Sequence, residues 1–157
     1  MEIYTYSPED VFISLGDMKL GDWDSIKISA LEPSYRLIRG INDKNTRGKI
    51  SGSCVEVKIS VLQASQTNWI FSEINRLDNI QGAGRLELFI KDQSGQSYFS
   101  SLDAFIAGKP EQMYTGELEL LEWTIICQSI QDWSIAGNAS PSESALSSFI
   151  NNAIALF

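Results

Sequence analysis

The sequence contains no histidine, the side chain that proteins use most often for proton transfer near neutral pH. It also lacks the phosphate-binding motif GxxxxGK[ST] and the nucleophile motif GxSxG. Gly82-Ala83-Gly84 resembles a dinucleotide-binding turn, but it follows a predicted helix and precedes a predicted strand, the reverse of the required order. These absences predict a protein that is not an enzyme and binds no cofactor.

Cysteine is scarce, with Cys54 and Cys127 far apart and no CxxC motif. Without histidine, these two thiols cannot complete a zinc site of the usual kind. We expect both to be small core or interface residues, because cysteine packs like a modest hydrophobic side chain. A disulfide between them stays an open alternative.

Long apolar runs are absent, and the longest, such as Thr124-Ile125-Ile126-Cys127, fall far short of the roughly 20 residues that cross a bilayer. The N-terminal residues lack the basic and apolar regions of a secretory signal. We therefore expect a protein that is made in the cytoplasm and does not enter a membrane.

Basic residues are also in deficit: 12 lysines and arginines stand against 20 acidic residues, for a net charge of −8. Such a chain is a poor candidate for gripping nucleic acid through its phosphates. Trp23, Trp69, Trp123 and Trp133 are therefore assigned to core or interface packing, and not to base stacking.

Alternation of apolar and polar residues predicts several strands. The clearest example places Val55, Val57, Ile59 and Val61 on one face, with Glu56, Lys58 and Ser60 between them. Residues 25–29 and 86–91 alternate in the same way, and the turn-rich segment 91–96 predicts a β-hairpin. A mainly β fold with helices follows, as an antiparallel β-barrel or sandwich flanked by one α-helix.

The segment from Glu117 to Ile130 changes phase, since Leu118 and Leu120 alternate in one register and residues 121–127 in the other. A β-bulge near Leu120 would explain the change, and burial on both faces is the competing interpretation. Glu117 and Glu119 would then be same-face neighbours on a strand. A glycosidase-like carboxylate pair there is a minor alternative, because it would also need a cleft and a substrate platform.

Two helices are predicted. The first, near residues 67–77, places Ile70, Ile74 and Leu77 on one side to close an open face of the sheet. The second begins with a capping box, Ser140-Pro141-Ser142-Glu143, and is strongly amphipathic. Its apolar docking stripe consists of Leu146, Phe149, Ile150, Ile154 and Phe157. This stripe could dock on its own domain or on a neighbouring copy.

Gly40 to Gly48 is the most polar stretch of the chain and is predicted to form a protruding loop between extended runs. The chain as a whole divides into a β-barrel domain, residues 1–137, and a C-terminal helical extension, residues 138–157. No internal repeat is visible.

Several segments, in order and spacing, resemble the tail tube proteins of long-tailed bacteriophages, particularly those of Mu-like and related contractile tails. They include Tyr6 to Val11, Ile26 to Ser29, Asn42 to Gly48, Ser51 to Ile59, Leu62 to Asn68, Ile90 to Gly95, Ala104 to Ile106 with Pro110, and Glu122 to Thr124. The helix after Ser140 departs from the family, since many members stop soon after the segment corresponding to Ile135-Ala136-Gly137.

The resemblance implies six copies per ring and rings stacked into a hollow tube in the virion tail, through which double-stranded DNA passes without specific binding. Tail sheath, tape measure, baseplate and tail terminator proteins would be partners. Candidates for ring stacking are Asp43, Lys44, Asn45, Thr46 and Arg47, and candidates for the lumen are Glu56, Lys58 and Ser60, or alternatively Glu117 and Glu119. Acidic lumen residues would repel phosphates and let DNA slide.

Two alternatives stay open. One is the inner tube of a phage-derived injection machine, such as a tailocin or a type VI secretion system. The other, from a different class, is a β-sandwich carbohydrate-binding module.

Overall fold

The computed structural model describes residues 3–51, 54–137 and 150–155. Its strands are β1 (Val11–Leu15), β2 (Met18–Lys19), β3 (Trp23–Ala30), β4 (Tyr35–Arg39), β5 (Asn45–Lys49), β6 (Val55–Leu62), β7 (Leu86–Asp92), β8 (Tyr98–Gly108) and β9 (Leu120–Ser134). One helix, α1 (Thr67–Gln81), lies between β6 and β7, and a 3-10 turn, Pro8–Asp10, precedes β1. The prediction of a mainly β chain with helices is confirmed.

Seven strands form one antiparallel sheet in the order β2-β1-β7-β8-β9-β6-β3. Although β2 and β3 occupy opposite edges of this order, only residues 20–22 separate them along the chain. Such a short connection draws the two edges toward each other, so the sheet must curl into an open barrel. The β4–β5 hairpin (residues 35–49) pairs only with itself and forms a separate two-stranded sheet.

The inner face of the curled sheet carries the core. In β6, Val55, Val57, Ile59 and Val61 are at most 2% exposed, whereas the residues between them are half-buried. The alternation predicted for this strand is therefore confirmed. The largest fully buried side chains come from all around the sheet and from the helix: Phe71, Phe99, Ile13, Leu15, Ile59, Leu88 and Ile125.

Strand β9 corrects one prediction, because no bulge lies near Leu120. The pairing of β9 with β6 runs without a shift from Leu120 opposite Leu62 to Cys127 opposite Val55. The phase change has a simpler cause: the strand begins at Leu120, and Leu118 belongs to an exposed loop before it. Irregular register occurs instead on the other side of β9, against β8.

The helix α1 packs its stripe of Thr67, Phe71, Ile74 and Asn75 against the inner face of the sheet. Ile70 contacts the core from the margin of this stripe, but Leu77 is 39% exposed, so its predicted core position is wrong. The helix is longer than expected and ends at Gly82, whose left-handed backbone (φ 65°) lets its N–H bond the carbonyl of Asp78 at 2.8 Å.

Asn68 ties the helix to the sheet. Its amide oxygen accepts a hydrogen bond from the indole N–H of the buried Trp123 at 2.9 Å. Its amide nitrogen donates to the carbonyls of Leu62, Gln63 and Ser65, at 2.9, 3.2 and 3.2 Å. The Trp123 ring also packs against Phe71, with centroids 5.3 Å apart. One amide thus fixes the β6–α1 connection on top of the core.

Cys127 is fully buried and Cys54 is half-buried, as expected of core-lining thiols, and the two are not joined by a disulfide. Burial raises the pKa of the Cys127 thiol to about 11. The predicted turn between β7 and β8 is confirmed: Asp92 accepts hydrogen bonds from the Ser94 N–H and hydroxyl, at 3.0 and 2.6 Å. Among the described residues, no helix is long and apolar enough to span a bilayer.

Candidate assembly surfaces

The β4–β5 hairpin is almost wholly exposed. Every residue of β4 is exposed, and in β5 just Gly48 is partly covered. Leu37 and Ile38 are 66% and 54% exposed, and Ile41 at the tip is fully so. A two-stranded sheet with both faces in water is marginally stable alone, so contact with another surface would stabilise this hairpin.

The predicted stacking residues fall on this hairpin, but not all in a loop. Asp43 and Lys44 lie at its tip, where Asp43 adopts a left-handed backbone (φ 57°). Residues 45–47, predicted as loop, belong to strand β5 instead, because they pair with residues 37–39 of β4. The guanidinium of Arg47 lies 4.2 Å from the ring centroid of Tyr35, an attractive cation–π contact.

The outward-facing side of β3, β6 and β9, here called the outer sheet face, carries one set of lumen candidates. Its polar residues are Ser25, Lys27, Ser29, Glu56, Lys58, Ser60, Glu122 and Thr124, and the register places the apolar Leu62, Leu120 and Ile126 on the same side. Lys58 pairs with Glu56 at 3.2 Å and with Glu122 at 3.8 Å. The charges of two lysines and two glutamates cancel, so this face has no net charge and is not the acidic surface that the lumen hypothesis assumed.

Glu117 and Glu119 lie elsewhere. Both precede β9, in the exposed β8–β9 loop (residues 109–119), so they are not same-face neighbours on a strand. Thr115 organises this loop: its hydroxyl donates to the Glu119 carboxylate at 2.8 Å and accepts the N–H of Glu117 at 3.2 Å. The loop is anchored by the Gln63 N–H, which donates to the carbonyl of Glu119 at 3.0 Å.

Three of the C-terminal stripe residues, Leu146, Phe149 and Phe157, and the capping box at 140–143 lie outside the described residues. Residues 150–155 are helical, and Ile150 and Ile154 are 47% and 66% exposed. The docking stripe therefore stays a prediction, with its two described members available to a partner.

The solvent-facing side of α1 is a further apolar surface that the sequence patterns did not single out. Trp69 and Ile80 are 63% and 65% exposed, and between them Arg76 bonds Glu73 at 2.9 Å. This hydrogen bond lowers the pKa of Glu73 and raises that of Arg76. Residues 69, 73, 76 and 80 recur at helical spacing on one side of α1, and this spacing was the signal in the sequence that could have revealed the surface.

No group of three or more cysteine, aspartate or glutamate side chains is placed to hold a metal ion in the part of the chain that the structure describes. The surfaces above are exposed, partly apolar and charged at their margins, features that interfaces between proteins also have.

No protein-family model matches the chain. Its sequence is 26% identical over 132 residues to a protein of Pseudomonas phage KPP10 described as structural protein ORF10, covering 77% of this chain and 76% of that protein. The relative is a structural phage protein and not an enzyme, which confirms the prediction of a non-enzymatic structural role.

Three solved structures share the fold. A chain of the sheath–tube complex of the extracellular contractile injection system PVC, in the extended state, has a TM-score of 0.57 at 15% identity, over 81% of this chain and 90% of that chain. The chain has a tail tube-like fold. The tube-terminating cap of the anti-feeding prophage gives 0.54 at 11% identity, over 85% and 95% of the two chains. The PVC sheath/tube terminator gives 0.51 at 15% identity, over 82% and 96%.

The tail tube-like fold confirms the architecture that the sequence resemblance implied. Together with the phage relative, it supports a place in the virion tail and tail proteins as partners in general.

Proposed function

We propose that this protein is the repeating subunit of a phage tail tube, whose copies close into homohexameric rings that stack into a conduit for DNA. The observation that carries the proposal is the coincidence of two similarities, one to a phage structural protein and one to a chain of a sheath–tube complex. Each covers more than three quarters of this chain, so the likeness concerns the whole barrel and not a local motif.

The exposed surfaces support a protein that works by self-association. A curled sheet with β2 and β3 at its edges can extend pairing or packing to neighbouring copies around a ring. The β4–β5 hairpin, which projects from the barrel, is suited to contacts between rings. The outer sheet face has hydroxyl groups and paired charges that sum to zero, as expected of a wall along which a polyanion can slide.

The charge of the outer sheet face differs from that of the acidic, DNA-repelling lumen that the sequence resemblance suggested. Since Lys58 is paired with two glutamates, its attraction for phosphate is cancelled locally. If the outer sheet face lines the tube, DNA passes because it is neither held nor strongly repelled. Glu117 and Glu119, in the β8–β9 loop, then act outside the lumen.

A second candidate is a tube terminator, which would end the tube and not repeat along it. Two of the similar structures favour it, since they are described as a tube-terminating cap and as a sheath/tube terminator. A terminator forms one ring whose far side does not bind another ring of the same chain, so it does not polymerise. The two functions therefore differ in whether rings of this chain stack on one another.

Negative-stain electron microscopy of the purified full chain distinguishes these functions. A tube subunit forms long hollow tubes with a regular repeat, whereas a terminator forms isolated rings that cap tubes made by another protein. A stable monomer at all concentrations would contradict both. Class averages of end views would count the copies per ring, and a number other than six would refute the homohexamer.

In the assembled tail we expect contacts with sheath, tape measure, baseplate and terminator proteins, and passage of double-stranded DNA without specific binding. The phage relative favours a virus over a tailocin or a type VI secretion system as the source of the tube. Capsid and terminase genes beside this gene would support the virus. The fold gives no support to the carbohydrate-binding alternative, since the similar solved structures belong to contractile injection systems.

A further inference from the structure

Basic residues are concentrated in one projecting element of an acidic protein. The β4–β5 hairpin contains Arg36, Arg39, Lys44, Arg47 and Lys49, five of the twelve basic residues, and a single acidic residue, Asp43. The rest of the chain carries seven basic and nineteen acidic residues. Such separation of charge within one molecule favours contact between unlike surfaces of separate copies.

The β8–β9 loop has the complementary character. It contains Glu111, Glu117 and Glu119 against the single cation Lys109. It also exposes large apolar side chains: Met113, Tyr114 and Leu118 are 57%, 77% and 61% exposed. Hairpin and loop thus combine exposed apolar area with opposite charge, the composition of a protein interface with a hydrophobic centre and a polar rim.

The two elements lie at opposite ends of the barrel, with β6 running from one to the other. The hairpin leaves and rejoins the sheet at the N-terminal end of β6: Leu31, directly after β3, donates its N–H to the carbonyl of Cys54, directly before β6, at 3.0 Å. Just beyond the C-terminal end of β6, Gln63 bonds the loop at Glu119. Eight strand residues separate the ends by roughly 25 Å, so the hairpin does not fold back onto its own loop.

We infer that the β4–β5 hairpin of one copy docks on the β8–β9 loop of a second copy in the next ring. This inference rests on the proposed tube function and names the receptor for the stacking element. Each copy carries both surfaces, the hairpin and the β8–β9 loop, at opposite ends. The contact can therefore repeat head to tail from ring to ring without closing. A heterologous contact of this kind generates an open filament with a fixed direction.

Charge reversal tests the pairing without touching the contacts that hold each element together. The hairpin-reversed variant carries Arg36→Glu, Arg39→Glu and Lys44→Glu, which makes the hairpin net negative and leaves the Arg47–Tyr35 contact intact. The loop-reversed variant carries Glu111→Lys and Glu117→Lys, which leaves the Thr115–Glu119 hydrogen bond intact. A control with Arg85→Glu and Lys91→Glu changes the net charge in the same direction as the hairpin-reversed variant, at residues outside the proposed assembly surfaces.

Each reversed variant alone is expected to form rings but to lose tubes by roughly tenfold or more, because like charges face each other at every junction. The control forms tubes as the wild type does. Combining both reversals in one chain restores tubes. An equal mixture of the two reversed proteins also restores them, since each hairpin then meets a loop of opposite charge and rings of the two kinds alternate.

Electron microscopy gives tube length and number, and circular dichroism verifies that every variant is folded. Wild-type tubes with no restoration in the combined variant or in the mixture would overturn the pairing while leaving the tube function standing. Failure of the wild type to stack under any condition would overturn both. Unchanged tube length in the hairpin-reversed variant, with loss of binding to double-stranded DNA, would assign the hairpin to nucleic acid instead.

Discussion

Asn68 offers the sharpest test of how the fold is held together. In Asn68→Ala the indole N–H of Trp123, in a side chain just 2% exposed, loses its acceptor. A buried donor left without a partner costs about 1–3 kcal/mol of folding free energy. The carbonyls of the β6–α1 connection lie near the surface and can bond water, so they add little. We expect a total loss of about 2 kcal/mol, a substantial part of the stability of a typical domain.

A double-mutant cycle with Trp123→Phe isolates the hydrogen bond. Phenylalanine keeps most of the ring contact with Phe71 but has no N–H. Removing the Asn68 amide in that background therefore leaves no buried donor without an acceptor. We expect a coupling energy of about 1–2 kcal/mol between the two positions, measured by urea unfolding followed by far-ultraviolet circular dichroism. Equal losses from Asn68→Ala in the wild-type and Trp123→Phe backgrounds would refute this account. Asn68→Asp, which keeps an acceptor for Trp123 but turns an acceptor toward three carbonyls, should also destabilise.

Three further predictions follow from single features. Phe71→Ala should lower the free energy of unfolding by about 3–5 kcal/mol. Trp69→Ala, on the exposed side of the same helix, should change it by less than about 0.5 kcal/mol. Equal effects of the two substitutions in denaturant titrations would contradict the burial of the Phe71 side of the helix. The fold raises the pKa of Cys127 from 9.0 to about 11, so between these pH values the thiol ionises in the unfolded chain before it does in the folded one. The free energy of unfolding should therefore fall by about 2 kcal/mol as pH rises from 9 to 11. Cys127→Ala should lack this pH-dependent loss of stability. Replacing Glu56 and Glu122 together by lysine leaves four cations and no anion on the outer sheet face. Tubes should form normally but retain DNA in a salt-dependent manner. Tubes that release DNA as the wild type does would place the lumen elsewhere.

Much of the barrel was predictable because burial there follows the two-residue period of a strand. Val55 to Val61 shows this period without interruption, and its predicted faces are the observed ones. The period failed at Leu118 and Leu120, because both are apolar residues left in water, and hydropathy alone cannot distinguish an exposed leucine from a buried one. The same ambiguity placed Leu77 in the core.

The contacts that position the surfaces were beyond the reach of local patterns. The hydrogen bond between Asn68 and Trp123 joins residues that only the sheet topology brings together. In the sequence, an asparagine near the start of a helix is expected to cap the helix and not to bond a distant side chain. An extended run before Gly40 was expected and is strand β4, but the sequence of Tyr35 to Arg39 did not show that both faces of this strand would be exposed. The five basic residues of the hairpin were a further signal in the sequence, one that could have indicated a contact surface.

The hairpin also has a length that can change independently of the core. It is inserted between β3 and β6, which pair with each other in the main sheet, so its two strands can grow or shrink together while the barrel keeps its register. Each added pair of residues would move the tip outward by about 3.4 Å. In the proposed tube, insertions and deletions of two residues in the hairpin would therefore change the axial spacing between successive rings and leave the barrel domain unchanged.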